Sequence, residues 1–364
     1  MYKSYAPERF KLRGRYIRWD LLENDFKDFV AAHRDEVYNS IISYLQPAGA
    51  TDKFKEMLRS YTDRRGQYRR PGYMMAWAQL YGADLAMTVL PAAAQQLSED
   101  YLLMHDDWMD NNSVRRGLPA AHILYGPEYA IDAGDTLQAI LWKMVWDASR
   151  TLSKKTGTRY YEKFYDMILT THIGQYLDLA LTREVNDVAK FTMEDYYASI
   201  HAKSAYYSVY GPMQCGAIIA GKGDREVAKI KRYGEPAGLA FQIKDDILDC
   251  IATEAELGKS IGNDVKEGTK TIILWHAIHN SDSSTMNRLR EIYMLPRKSK
   301  SDSDVAFVLG KFNELGSIAF AEKEAQSFSE KAAREFEKAT AKIQDGSAKQ
   351  IARSGIVHTA HRKK

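Results

Sequence analysis

Cysteine is scarce in this chain: Cys215 and Cys250 are its only two among 364 residues. Two thiols cannot build the disulfide framework of a small secreted protein, and they read as reduced core residues in a cytoplasmic setting. Charge of one sign is equally short. The 51 Lys and Arg against 48 Asp and Glu leave a net charge of +3, which gives no basis for a nucleic-acid partner, so any phosphate recognition must be local. Long apolar runs are missing as well. None approaches the roughly 20 residues of a spanning helix, and the charged opening MYKSYAPERFKLRGRY lacks the apolar centre of a targeting segment. Strand-like alternation is rare, and no stretch has the composition of a domain linker.

What the chain does have is helical periodicity. Leu22, Phe26, Phe29, Val30, Val37, Ile41 and Leu45, with His33 among them, form one apolar stripe. Breakers at Pro47 to Gly49, Gly66, Pro71-Gly72, Gly117 to Pro119, Gly126-Pro127, Gly157, Gly221 to Gly223 and Gly268 separate such segments. Thr192 with Asp195 resembles a capping box. The polar stretch Arg297 to Asp304 reads as a surface loop, and the chain from Gly346 onward as frayed. The expectation is an all-α protein, one antiparallel helical bundle over residues 1–364.

Two stretches carry chemistry: Asp106, Asp107 and Asp110 in DDWMD, and Asp245, Asp246 and Asp249 in DDILD. On a helix, positions i and i+4 share a face, so Asp106 with Asp110, and Asp245 with Asp249, present paired carboxylates. Oxygen-only ligands suit a hard cation such as Mg²⁺, which shares its coordination with water and substrate phosphates. One such motif could be a solvated charged face. Two make that reading weak, because the second sits among Leu239, Ala240, Phe241, Ile243, Ile247 and Leu248, and buried carboxylates at close range cost on the order of 4 kcal/mol per pair unless cations neutralise them.

In order and spacing these motifs resemble those of the trans-polyprenyl diphosphate synthases, most closely the archaeal-type geranylgeranyl diphosphate synthases. DDWMDNNSVRRGLP is similar to that family's first aspartate-rich motif with its RRGxP sequel, and FQIKDDILD to its second. GQYRRP at Gly66 to Pro71, GQYLDL at Gly174 to Leu179, Lys203-Ser204, GKSIGND at Gly258 to Asp264 and GTKT at Gly268 to Thr271 fall where the family has its other motifs. The similarity runs over about residues 58–280.

The resemblance implies a helical bundle around a central cavity, a homodimer, and about three Mg²⁺ ions joining an allylic diphosphate to isopentenyl diphosphate. Asp106 and Asp110 would hold two ions and Asp245 the third, with Asp107, Asp246 and Asp249 as further or water-mediated ligands. Arg115, Lys203 and Lys259 would grip the allylic diphosphate, with Gln175 nearby, while Ser204 and Gln242 would face the carbocation. The acceptor side departs from the pattern. Gln67 and Tyr68 replace a lysine and an arginine, Thr269 replaces a lysine with Lys270 one place on, and Glu99 stands where His or Gln is usual. Isopentenyl diphosphate would then use Arg70 and Arg116, and Glu99 would repel it unless a neighbouring arginine pairs with the carboxylate. The basic end His361 to Lys364 is a further candidate cover for that diphosphate.

Tyr101 lies five residues before Asp106, about 7.5 Å down a helix. An aromatic there with Leu102 beside it resembles the archaeal-type geranylgeranyl synthases, and the resemblance implies a product of twenty carbons, geranylgeranyl diphosphate, rather than farnesyl diphosphate. A terpene cyclase would carry a different second metal motif, and a noncatalytic partner subunit would have no need of two complete ones.

Overall fold

The computed structural model describes residues 9–12, 15–18, 23–185, 187–251 and 262–360. Lys259 and His361 to Lys364 lie outside the described residues. The apolar stripe of the first segment becomes α1 (Glu23–Tyr44), which buries Phe26, Phe29, Val37 and Ile41. It is followed by α2 (Asp52–Asp63), α3 (Arg69–Leu80), α4 (Val89–Met109), a single turn α5 (Ala121–Leu124), α6 (Pro127–Thr151), α7 (Lys154–Arg183) and α8 (Met193–Ile200). α8 runs through a π-helical stretch, His201–Tyr210, into α9 (Gly211–Ile219) and then α10 (Asp224–Ile251). The remainder is α11 (Asn263–Glu267), α12 (Ile272–His279), α13 (Ser283–Met294), α14 (Asp302–Glu314), α15 (Ser317–Ala339) and α16 (Ser347–Ala360). Strand among the described residues is confined to two short hairpins, Arg9–Leu12 with Arg15–Arg18, and Val114–Arg115 with Leu118–Pro119.

α4 packs on α6 and α1, α7 on α6 and the π-helical stretch, α3 on α9, and α10 on α15 and the π-helical stretch. The larger apolar cluster runs from Phe26 through Trp77, Tyr101 and Phe164 to Ile356. A second, built from Ile243, Ile247, Val265, Ile272 to Leu274 and Phe312, meets it at Leu239 on α10. The Thr192 capping box forms as expected, with Thr192 accepting from the Asp195 N–H and Asp195 from the Thr192 N–H.

Four local expectations need correction. Gly157 does not interrupt a helix; it lies inside α7, where an added Cβ would come 2.0 Å from the Ser149 carbonyl oxygen, so close backbone approach explains the glycine. Pro71-Gly72 belongs to the first turn of α3, where proline costs no hydrogen bond. The stretch after Gly346 is not frayed. It forms α16, whose Ser354 Oγ accepts from the Phe26 N–H at 2.9 Å and whose Ala352, Ile356 and Val357 are buried against α1 and α3. Arg297 to Asp304 is a surface segment only in part: Lys298, Ser299 and Ser301 to Ser303 are exposed, but its other residues turn inward. Ser301 caps α14 in a second capping box with Asp304, Lys300 is buried with its Nζ donating to the Val265 and Lys266 carbonyls, and Arg297 turns back into the cleft described next.

Candidate active site

The two aspartate-rich segments stand at the ends of α4 and α10 and face one another across a cleft of about 350 Å³. Asp106, Asp110, Arg115, Lys203, Gln242, Asp245 and Asp246 line it. A continuation of about 450 Å³ shares Asp110, Lys203, Gln242 and Asp246 and reaches Asp178, Ser204 and Lys270.

The three aspartates of the first motif do not share a direction. Asp106 and Asp110 line the cleft, as the i, i+4 spacing predicts. Asp107 is fully buried, accepting from Tyr61 Oη at 2.6 Å and from Arg115 Nε at 3.0 Å. It anchors Arg115, whose guanidinium end lies 4.0 Å from Asp106. Tyr61 also accepts from the Ala121 N–H at 3.1 Å, and Arg64 donates to the carbonyls of Arg115 and Pro119 at 2.9 Å, so α2 fixes the hairpin that presents the two arginines. Burial, with Asp106 next to it, pushes the Asp110 carboxyl up to about 7.

The second motif divides differently: Asp245 and Asp246 line the cleft, whereas Asp249, expected to pair with Asp245, is buried and outside the cleft lining. Asp246 accepts from Tyr196 Oη at 2.7 Å and Gln242 Nε2 at 2.9 Å, yet burial still raises its carboxyl to about 7. Asp249 accepts from the Asp264 N–H at 2.9 Å and so holds the start of α11 in place. Asp245 is half-buried at the cleft.

Between the two walls, Lys203 Nζ donates to Asp178 at 2.7 Å and lies 3.7 Å from Asp106. Burial opposes its charge, but Asp178, Asp106 and Asp110 together hold the ammonium well above its ordinary range. Lys203 and Ser204 sit in the π-helical stretch, a widened turn of the kind found at functional sites. That stretch presses on α7 at Gly174, where a Cβ would lie 2.2 Å from the Lys203 backbone nitrogen. The glycine of GQYLDL is thereby explained by close approach. Gln175 does not itself line the cleft but sits behind Met109, which does, its Nε2 lying 4.0 Å from Sδ. Lys270 Nζ donates to the Thr182 carbonyl at 3.1 Å, and burial lowers its ammonium to about 8.

Glu99 does find arginine partners. Arg70 lies 3.0 Å and Arg116 3.3 Å from its carboxylate. Burial raises the Glu99 carboxyl, but the two arginines outweigh it and hold the group below its usual range. Arg116 also donates to Asp100 at 3.0 Å and to the Tyr61 carbonyl at 2.7 Å, and Arg70 to Ser208 Oγ at 2.9 Å. The two arginines expected to hold isopentenyl diphosphate are thus already paired with an internal anion. Arg116 and Tyr68 both carry left-handed backbone, with φ of 50° and 53°, a strain tolerated where the surroundings fix it. Removing Glu99's charge would leave the half-buried Arg70 guanidinium without an acid and Arg116 with Asp100 alone, so Glu99→Ala is expected to cost about 3 kcal/mol in a denaturant titration.

The sequence reading missed Asn112, Glu267 and Arg297. Arg297 pairs with Glu267 and donates to Asn263 Oδ1 at 3.2 Å and to the Asp110 carbonyl at 3.4 Å. No local signal marked it, since it arrives from 187 residues away.

Residues 51–311 match the polyprenyl synthetase family model. The chain belongs to the polyprenyl synthetase family. It is a prenyltransferase by that membership, and among its relatives the short chain isoprenyl diphosphate synthase of Methanocaldococcus jannaschii is 33% identical over 70% of this chain and 78% of that one. The geranylgeranyl pyrophosphate synthetase of Pyrococcus horikoshii superposes with a TM-score of 0.78 at 27% identity, over 95% of this chain and 99% of its own. The geranylgeranyl pyrophosphate synthase of Corynebacterium glutamicum, solved with isoprenyl diphosphate and magnesium, shares the fold at a TM-score of 0.82 and 22% identity, over 93% and 99%. No described helix of this family member is long and apolar enough to cross a membrane.

Proposed function

We propose that this prenyltransferase elongates allylic diphosphates with isopentenyl diphosphate and releases geranylgeranyl diphosphate. The observation that carries the reading is the pair of aspartate walls facing across one cleft, with Tyr101 buried in the bundle core five residues below Asp106. Asp106, Asp110 and Asp245 would hold magnesium, about three ions in all. Their oxygen-only donor set fits: Asp106 and Asp110 bring two carboxylates to one face of the cleft opposite Asp245, where a divalent cation would offset their repulsion. When bound, the ions would neutralise charge building on the departing diphosphate.

The chain's own residues do the rest. Lys203, fixed by Asp178, and Arg115, fixed by Asp107, present cations to the same diphosphate without needing to reorganise. Gln242 spends its amide N–H on Asp246, leaving its carbonyl oxygen as the atom available to a carbocation, alongside Ser204 Oγ. Neither is an effective nucleophile, and the apolar helices keep water from the cation. The decisive assay incubates the protein with isopentenyl diphosphate, Mg²⁺ and each allylic starter and identifies the products. Linear twenty-carbon diphosphate supports the reading; cyclic hydrocarbons would point to a cyclase, and no turnover to a noncatalytic subunit.

A homodimer is part of this proposal. Ile131 and Trp146 on α6 and Tyr165, Leu169, Ile173 and Tyr176 on α7 are exposed, the last at 63%. A continuous apolar face of this kind calls for cover, and a second copy provides it. Sedimentation velocity is expected to show a dimer that Leu169→Glu with Ile173→Glu converts to a monomer.

A further inference from the structure

Asp106 and Asp110 stand at the C-terminal end of α4, which is the unfavourable end of a helix for carboxylates. The last four carbonyls have no partner within the helix and give that end a partial negative charge. Here all four are matched. Asn111, left-handed at a φ of 49°, donates its N–H to the Trp108 carbonyl at 3.3 Å, and the Asn112 N–H donates to that of Asp107 at 2.9 Å. The Met109 and Asp110 carbonyls are taken by side chains from far along the chain. Arg183, the last residue of α7, donates to the Met109 carbonyl at 3.2 Å, and Arg297, in the turn after α13, to that of Asp110 at 3.4 Å. A cation here acts both as a hydrogen-bond donor and against the helix dipole.

Arg297 also reaches the other side of the cleft. Its guanidinium pairs with Glu267 and donates through both terminal nitrogens to Asn263 Oδ1 at 3.2 Å. Those two residues belong to α11, whose start is held by Asp249 of the second motif. Asn263 in turn donates to Asn112 Oδ1 at 3.4 Å. A planar guanidinium presents its donors in a fixed fork, so one side chain joins the end of α4 to α11. We propose that Arg297, assisted by Arg183, is a positioning residue, a clasp that sets the separation of the two aspartate walls. The role rests on the reading of Asp106, Asp110 and Asp245 as magnesium ligands. Both arginines also line the 450 Å³ continuation of the cleft, so direct contact with phosphate is the rival role.

The full-length protein is titrated with Mg²⁺ by calorimetry in the presence of inorganic pyrophosphate. Arg297→Gln is expected to raise the half-saturating Mg²⁺ concentration about ten-fold, as loss of a group that orients metal ligands does, and Arg183→Gln, which gives up one exposed bond, about two-fold. Arg297→Lys is expected to recover little, because one ammonium cannot serve both elements. A cation that acted through its charge alone would repel the metal, and both glutamine variants would then bind Mg²⁺ more tightly. A phosphate ligand would instead show weaker binding of metal-free pyrophosphate in Arg297→Gln and recovery in Arg297→Lys. In the assay with both substrates, the clasp variants shift the Mg²⁺ dependence of kcat and leave the KM for isopentenyl diphosphate in place, a split that general loss of stability would not give. Arg183 is exposed, so Arg183→Gln decides the sign even where Arg297→Gln disturbs folding. Unchanged or tighter Mg²⁺ binding in the glutamine variants, or full recovery in Arg297→Lys, overturns the clasp while the magnesium reading stands. A wild type that takes up no Mg²⁺ with pyrophosphate overturns that reading and the clasp with it.

Discussion

Replacing Asp110 by asparagine is expected to lower turnover by about 10²–10³-fold while raising the melting temperature of the metal-free protein above pH 7. Both effects come from one charge. Asp110 lines the cleft with Asp106, and burial beside that second carboxylate lifts its own to about 7. The unfolded carboxyl titrates near 4. A folded-state value above the unfolded one means that the native protein holds the proton more tightly, so its stability declines as pH rises from about 4 to 7 and stays low above that. Asparagine removes the penalty, and the stability gain should be full at pH 8 and shrink toward pH 4. It also removes a carboxylate oxygen charge that would hold a magnesium ion against the diphosphate. Steady-state kinetics with excess Mg²⁺ and thermal melts in EDTA at pH 5 and pH 8 check the two halves. Equal melting temperatures at pH 8 would mean that Asp110 is compensated without metal.

Truncating Tyr101 to alanine is expected to lengthen the main product by one or more isoprene units. Tyr101 is fully buried, and its Oη lies 3.1 Å from His172 Nε2, which Gln138 Nε2 approaches at 3.3 Å. The ring is therefore pinned from α6 and α7 at a fixed depth below Asp106, as a floor should be. An aromatic truncation also opens a cavity that costs about 3–5 kcal/mol. Tyr101→Leu, with a smaller cavity, and His172→Ala, which frees the tyrosine hydroxyl, separate the floor from the loss of packing. Chromatography of the dephosphorylated products reads the outcome. An unchanged chain length in all three variants places the floor elsewhere in the bundle.

Much of the site was legible before folding because its chemistry is repeated and local. The i, i+4 spacing of Asp106 with Asp110 defines a shared face wherever a helix forms, and the charge inventory around it requires a cation. The all-helical class followed from periodicity, and the Thr192 cap from short-range hydrogen bonding. Misreadings arose where long-range packing overrides local preference. Gly157 looks like a breaker in the linear sequence, yet it sits inside α7, as Gly174 of GQYLDL does, where another backbone comes within 2.0 Å and 2.2 Å of a would-be Cβ. Arg297 looks like a loop cation and is a cleft residue. α16 looks like a tail and is a helix packed against α1 and α3.

By itself, then, the sequence determined the helical class, the two aspartate motifs and the family, since these depend on spacing within a turn or on motifs in order. Only the tertiary structure decided which carboxylates face the cleft and which are internal anchors. Asp107 and Asp106 are adjacent in sequence and point to opposite duties, one buried on Tyr61 and Arg115 and the other open to the cleft. The same holds for Glu99, whose partners Arg70 and Arg116 come from α3 and the hairpin after α4. The physical reason is that a side chain's charge is set by what surrounds it in three dimensions, and those neighbours lie from 8 to 46 residues away in sequence, beyond the reach of a single helical turn.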